Sequence, residues 1–136
     1  MKRPPGVTGL AAVLTFLGIF AMLGIAIIPW RPLGIAPQLL PLGEVATRWL
    51  LVGTVALYGT TALACAFALR RMRSYALGAY YAFVGSVALY CSVWLFLIRV
   101  EKPLGIGIIF FGLLCAGFYW GWRIAKRASG ATADAL

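Results

Sequence analysis

The chain contains no histidine, and only three of its 136 residues are acidic. Without imidazole there is no histidine ligand for zinc or haem, and no histidine base to activate a serine or cysteine nucleophile. Cys65, Cys91 and Cys115 have no C-x-x-C spacing, and each lies inside an apolar run. They read as small apolar side chains rather than a metal or redox pair. No metal or organic cofactor is implied. Charge is scarce altogether: 11% of residues are charged, against roughly 25% in a soluble domain.

Apolar residues make up 63% of the chain, more than a water-soluble fold can hide. Crossing about 30 Å of hydrocarbon takes about 20 apolar residues at 1.5 Å each. Four segments qualify, roughly Val7 to Ile28, Trp49 to Leu69, Tyr75 to Ile98 and Leu104 to Trp122, and none contains Asp, Glu, Lys, Arg or His. The first is longer than the apolar region of a signal peptide and ends in Pro29-Trp30-Arg31 without a small-residue cleavage site, so it is expected to stay as a span. The expected fold is therefore all-α, a single integral membrane bundle of four transmembrane helices. An outer loop covers 29–48 and a cytoplasmic tail 123–136.

The net charge of +9 lies in clusters between the apolar runs, which suits lipid headgroups rather than nucleic acid. With the N-terminus inside, the inner segments hold Lys2, Arg3, Arg70, Arg71, Arg73, Arg123, Lys126 and Arg127, against Arg31, Arg48, Arg99 and Lys102 outside. Cytoplasmic loops carry the excess of Lys and Arg, so both termini are expected in the cytoplasm. Trp30, Trp49 and Trp94 fall near the outer boundary and Tyr75, Trp120 and Trp122 near the inner one, as interfacial aromatics do. The inner clusters Arg70, Arg71, Arg73 and Arg123, Lys126, Arg127 are candidate contacts for anionic lipid.

The loop after the first span holds Pro29, Pro32, Pro37 and Pro41 but stays apolar, which points to a segment in the outer interface or folded on the bundle. The turn Arg70-Arg71-Met72-Arg73 is tight and makes the second and third helices antiparallel neighbours. The end from Ala128 to Leu136 is expected to fray. A short pattern recurs at Arg3-Pro4-Pro5-Gly6-Val7, Arg31-Pro32-Leu33-Gly34-Ile35 and Lys102-Pro103-Leu104-Gly105-Ile106. It fits helix entrances with proline at the first position best, and a duplicated helix pair less well, since the halves share little identity outside it.

Helices in lipid associate through small residues and interhelical hydrogen bonds. On the third helix Gly78, Ala82, Gly85 and Ser86 share one side, while Tyr80, Phe83, Val87, Tyr90, Trp94 and Leu97 follow the opposite one. The expectation is that Gly78, Ala82 and Gly85, with Gly117 and Gly121 of the fourth helix, pack the bundle. Tyr80, Phe83, Tyr90 and Trp94 would then face lipid or a partner. Ala62-x-x-x-Ala66, Ala64-x-x-x-Ala68 and Gly112-x-x-x-Ala116 repeat the small-residue spacing. Ser86, Ser92, Thr54, Thr60 and Thr61 read as hydrogen-bonding groups between helices.

No carboxylate sits within a span, which argues against a proton-coupled multidrug pump of the small four-helix type. Arg31, Glu44, Arg48, Arg99, Glu101 and Lys102 at the outer boundary read as interface anchors and local ion pairs. The opening Arg3-Pro4-Pro5-Gly6-Val7-Thr8, followed by four spans with an arginine-rich turn before the third, resembles a loose class of small bacterial four-helix membrane proteins that begin R-P-x-G-V-T. That resemblance implies an architecture and no activity. The expected protein is not an enzyme. It is a noncatalytic accessory or assembly subunit of a larger complex in a bacterial inner membrane, in contact with lipid and with other subunits or copies of itself. The alternative is an oligomeric carrier or binding protein for an apolar small molecule or lipid, walled by Tyr58, Tyr80, Tyr90 and the outer loop.

Overall fold

The computed structural model describes residues 6–30, 42–97 and 104–133, except for the side chains of 94–97, 104–111 and 131–133. The segment 31–41, with the second Arg-Pro-Leu-Gly pattern, lies outside these residues, as do Lys2, Arg3, Arg99, Glu101 and Lys102. The described chain forms four helices: α1 Val7–Ile27, α2 Glu44–Arg70, α3 Ala76–Leu97 and α4 Leu104–Ala133. Three of them, through Val7–Ile27, Glu44–Arg70 and Ala76–Val93, are long and apolar enough to cross a membrane.

Local chemistry sets the helix ends. Gly6 precedes α1 with φ 91°, a left-handed conformation that costs a glycine nothing. At the other end Ile28 keeps helical geometry at φ −53° and ψ −44°, and α1 stops at Pro29, which has no N–H to continue the ladder. The α2 helix begins at Glu44 rather than at Trp49, one turn or more inside the segment expected to be loop. Glu44 and Arg48 form an i,i+4 ion pair, and the acid in the first turn suits the helix dipole. Arg48 Nη1 also donates to the Pro29 carbonyl at 3.0 Å, which ties the end of α1 to the start of α2.

The tight basic turn is built as expected between antiparallel α2 and α3. Arg73 N–H reaches back to the Ala68 carbonyl at 3.0 Å and Met72 N–H to Leu69 at 3.2 Å. Met72 sits between them at φ 50°, so α2 ends in a Schellman motif.

The fourth helix runs through the expected tail to Ala133. Ile124, Ala125 and Ala128 are buried, because their 3-4 spacing makes one apolar stripe while Arg123, Lys126 and Arg127 stay exposed on the other side. Ser129 fixes the segment further: its Oγ accepts the Leu77 backbone N–H at 3.1 Å. That N–H lies in the first turn of α3, where no carbonyl of its own helix can receive it. A second helix therefore supplies the cap.

The α1 and α2 backbones approach each other closely at two glycines. A Cβ placed at Gly59 would lie 2.8 Å from Ala21 Cβ and 3.7 Å from the Gly18 carbonyl, and one at Gly18 would lie 3.2 Å from the Gly59 carbonyl. Only glycine lets the two backbones meet so tightly. The main core forms toward one end, where Val7, Leu10, Ala11 and Leu14 meet Ala62, Cys65, Ala66 and Leu69 of α2. Ala76, Tyr80 and Phe83 of α3 and Ile124, Ala125 and Ala128 of α4 complete it.

Two substitutions check these contacts in mixed detergent-lipid micelles, by denaturant-induced unfolding. Gly59→Val should lower stability by about 1–3 kcal/mol through overpacking, whereas Gly53→Ala, with nothing within 4 Å of its new methyl group, should stabilise slightly or change nothing. Ser129→Ala should cost about 1 kcal/mol and speed amide exchange in the first turn of α3.

Candidate functional site

The third helix carries the side chains that the sequence marks as functional, and it sits the opposite way round from the sequence expectation. Tyr80 and Phe83 are 2% and 5% exposed, while Gly78, Ala82 and Gly85 lie on the outer surface and a Cβ at Gly78 or Gly85 would touch nothing within 4 Å. The physical reason is a size match across the α3–α4 seam. Gly121 leaves a hollow into which the Tyr80 ring fits, with Tyr80 Cζ 2.8 Å from where a Cβ would stand. The ring could not be accommodated against a larger residue. Its hydroxyl donates to the Phe118 carbonyl at 2.7 Å, and Phe83 meets Phe118 edge-on at 6.4 Å between ring centroids. Of the glycines expected to pack, Gly121 does so and Gly117 is exposed. Tyr90 stays partly buried against Tyr58, with ring centroids 5.3 Å apart. The side chain of Trp94 lies outside the described residues.

Two of the serine and threonine hydroxyls singled out in the sequence meet across helices. Thr61 and Ser86 meet at 2.7 Å between α2 and α3. Thr54, Thr60 and Ser92 instead donate to carbonyls of their own helix three or four residues back, which satisfies a hydroxyl in lipid without any partner helix. Ala62 and Ala66 are buried as the small-residue spacing suggests, whereas Ala64 is exposed.

The six basic candidates gather at one end of the bundle, and all are exposed. Arg70 Nη2 reaches Thr15 Oγ1 on α1 at 3.3 Å, and the Arg71 guanidinium lies 4.8 Å from the Phe67 ring centre. On α4 the Lys126 ammonium lies 5.0 Å from the Trp122 ring centre. The Trp122 indole N–H donates to the Tyr81 hydroxyl at 2.9 Å, and Tyr119 stacks on the same indole at 5.9 Å. Sequence reasoning missed the role of Tyr81 and Ser129. Their only signal is antiparallel register, which would pair the start of α3 with the end of α4 once α4 is known to continue past Trp122. Among the described residues no group of three or more His, Cys, Asp or Glu side chains comes together.

No family model, curated protein or solved structure matches the chain.

The Tyr80 contact is checked by Tyr80→Phe, which should cost about 1 kcal/mol in lipid, and by Gly121→Leu, which should cost more because the ring itself is displaced. Thermal unfolding in the same micelles reads both. Equal, negligible effects would mean that the ring does not occupy the Gly121 hollow.

Proposed function

We propose that this chain is a noncatalytic integral membrane protein that serves as an accessory or assembly subunit of a larger membrane complex. In this reading all four helices span a bacterial inner membrane, both termini are cytoplasmic, and the basic end of the bundle faces the cytoplasm. The charge asymmetry across the spans supports the orientation, and so does the gathering of the six basic side chains at one end of the bundle.

The observation that carries the subunit reading is the open side of α3. Tyr80 and Phe83 are already matched within the chain, and the outward surface of α3 presents Gly78, Ala82 and Gly85, flanked by the exposed Tyr81 and Leu89. Small residues at this spacing let a second helix approach closely, and close packing is what drives association where lipid tails offer no hydrophobic gain. The docking surface in this reading is therefore the small side of α3 rather than its aromatic side. Tyr80 is occupied by its own chain, so the pocket once expected around it for an apolar ligand has no free wall there.

Mild-detergent extraction of the tagged chain from its native membrane tests this. Stoichiometric partner polypeptides should migrate with it, and Gly85→Leu should release them while changing the bundle's own unfolding midpoint little, since no described residue lies within 4 Å of a Cβ placed at Gly85. Recovery of the chain with lipid alone would refute the subunit reading. Reporter fusions at residues 2 and 136 should both report the cytoplasmic side.

A further inference from the structure

At the basic end of the α3–α4 seam, Trp122 packs against the core with part of its ring and gathers polar and charged groups outside it that subunit docking does not use. Trp122 is held on three sides: its N–H by Tyr81, one contact by the stacked Tyr119, and its ring by the Lys126 ammonium. Tyr81 accepts the indole proton, and no described residue receives its own hydroxyl proton. Arg123, next along α4, makes no hydrogen bond or ion pair to a described residue. The described residues contain one carboxylate side chain, Glu44, and it lies at the opposite end of α2. The cluster is therefore positive, donor-rich and without an internal anion.

Its depth decides what kind of anion fits. Ser129 is level with Leu77 through their hydrogen bond, and Leu77 belongs to the apolar stretch Ala76–Val93 long enough to cross a membrane. Arg123 lies six residues before Ser129 on α4, about 9 Å further along the helix axis at 1.5 Å per residue. Its backbone is thus on the membrane side of the turn that carries Arg71 and Arg73. A cation placed there, facing outward, is costly unless it reaches up to the headgroups or meets an anion brought to it. A soluble anion would have to leave water to reach it; a lipid phosphate is already at that level.

We propose that Arg123, Lys126 and the Tyr81 hydroxyl form a binding site for the phosphate of an anionic phospholipid in the inner leaflet, with Trp122 and Tyr119 packing on its glycerol and upper acyl chain. The Arg70 and Arg71 guanidiniums, held by Thr15 and Phe67, lie outside the site. The assignment requires that the chain lie in a membrane and is independent of whether α3 docks a partner, because it uses different side chains.

Native mass spectrometry of the delipidated protein, offered phosphatidylglycerol and phosphatidylcholine of identical acyl chains, is the test. The unaltered chain should retain phosphatidylglycerol over phosphatidylcholine. Arg123→Gln and Lys126→Gln should each lower that preference about fivefold, the worth of one basic side chain at an anionic surface. Tyr81→Phe, which leaves the charge unchanged and removes a donor to the phosphate that both lipids carry, should lower retention of both. Arg71→Gln removes the same charge outside the site and should leave the preference intact. Equal retention of the two lipids by the unaltered chain would overturn the proposal. So would a loss from Arg71→Gln as large as that from Lys126→Gln, since diffuse attraction would then account for the binding. Circular dichroism and gel filtration of each variant separate a lost site from a lost fold.

Discussion

Everything in this bundle depends on how closely two helices can approach where no water is present to drive them together. In a soluble protein the burial of leucine and phenylalanine would do this work. In hydrocarbon such side chains gain nothing by leaving lipid, and the gain comes from packing and interhelical hydrogen bonds. The Gly18–Gly59 crossing is the clearest answer in this chain: the two backbones come within reach of each other's carbonyls, and α1 and α2 make the most extensive helix pair. Phe16, Ile19, Phe20 and Leu23 stay exposed on the outside of the same α1, where lipid is their natural neighbour.

The same constraint explains why α3 turns its aromatic side inward. A small-on-small contact is one way for helices to meet; a large ring in a glycine hollow is another, and it adds a hydrogen bond. Tyr80 uses Gly121 in this second way and gives its proton to a backbone carbonyl. With α4 holding that side and Thr61 bonded to Ser86 at the flank, the surface left over on α3 carries Gly78, Ala82 and Gly85, with Tyr81 and Leu89 beside them. The helix offers outward what was expected to be its packing seam.

Much of the architecture was legible in the residues. The apolar runs located both ends of α1 and α3 and the end of α2 to within a residue, and the arginine turn placed α2 beside α3. The lengths of α2 and α4 were underestimated for a common reason. Glu44 and Arg48 were read as loop charges although they satisfy each other within one helical turn, and Arg123, Lys126 and Arg127 were read as a tail although Ile124, Ala125 and Ala128 run between them at helical spacing. Charge marked where the apolar runs stop, but a helix can continue past that point when its charged residues lie on one side. The orientation of α3 was not legible, because a helical projection separates two sides without saying which neighbour each one meets. That depended on Gly121, a residue forty positions away whose lack of a side chain makes room for a ring.

Lipid exposure measured residue by residue tests the orientation of α3. In a cysteine-free background reconstituted into liposomes, Ala82→Cys and Phe83→Cys would each carry a nitroxide spin label, read by its mobility and its collisions with dissolved oxygen. With Phe83 turned inward, the label at position 82 should be mobile and oxygen-accessible and the one at position 83 immobilised and shielded. The reverse pattern would mean that the aromatic side faces lipid, and would contradict both the Tyr80–Gly121 packing and the docking surface drawn from it.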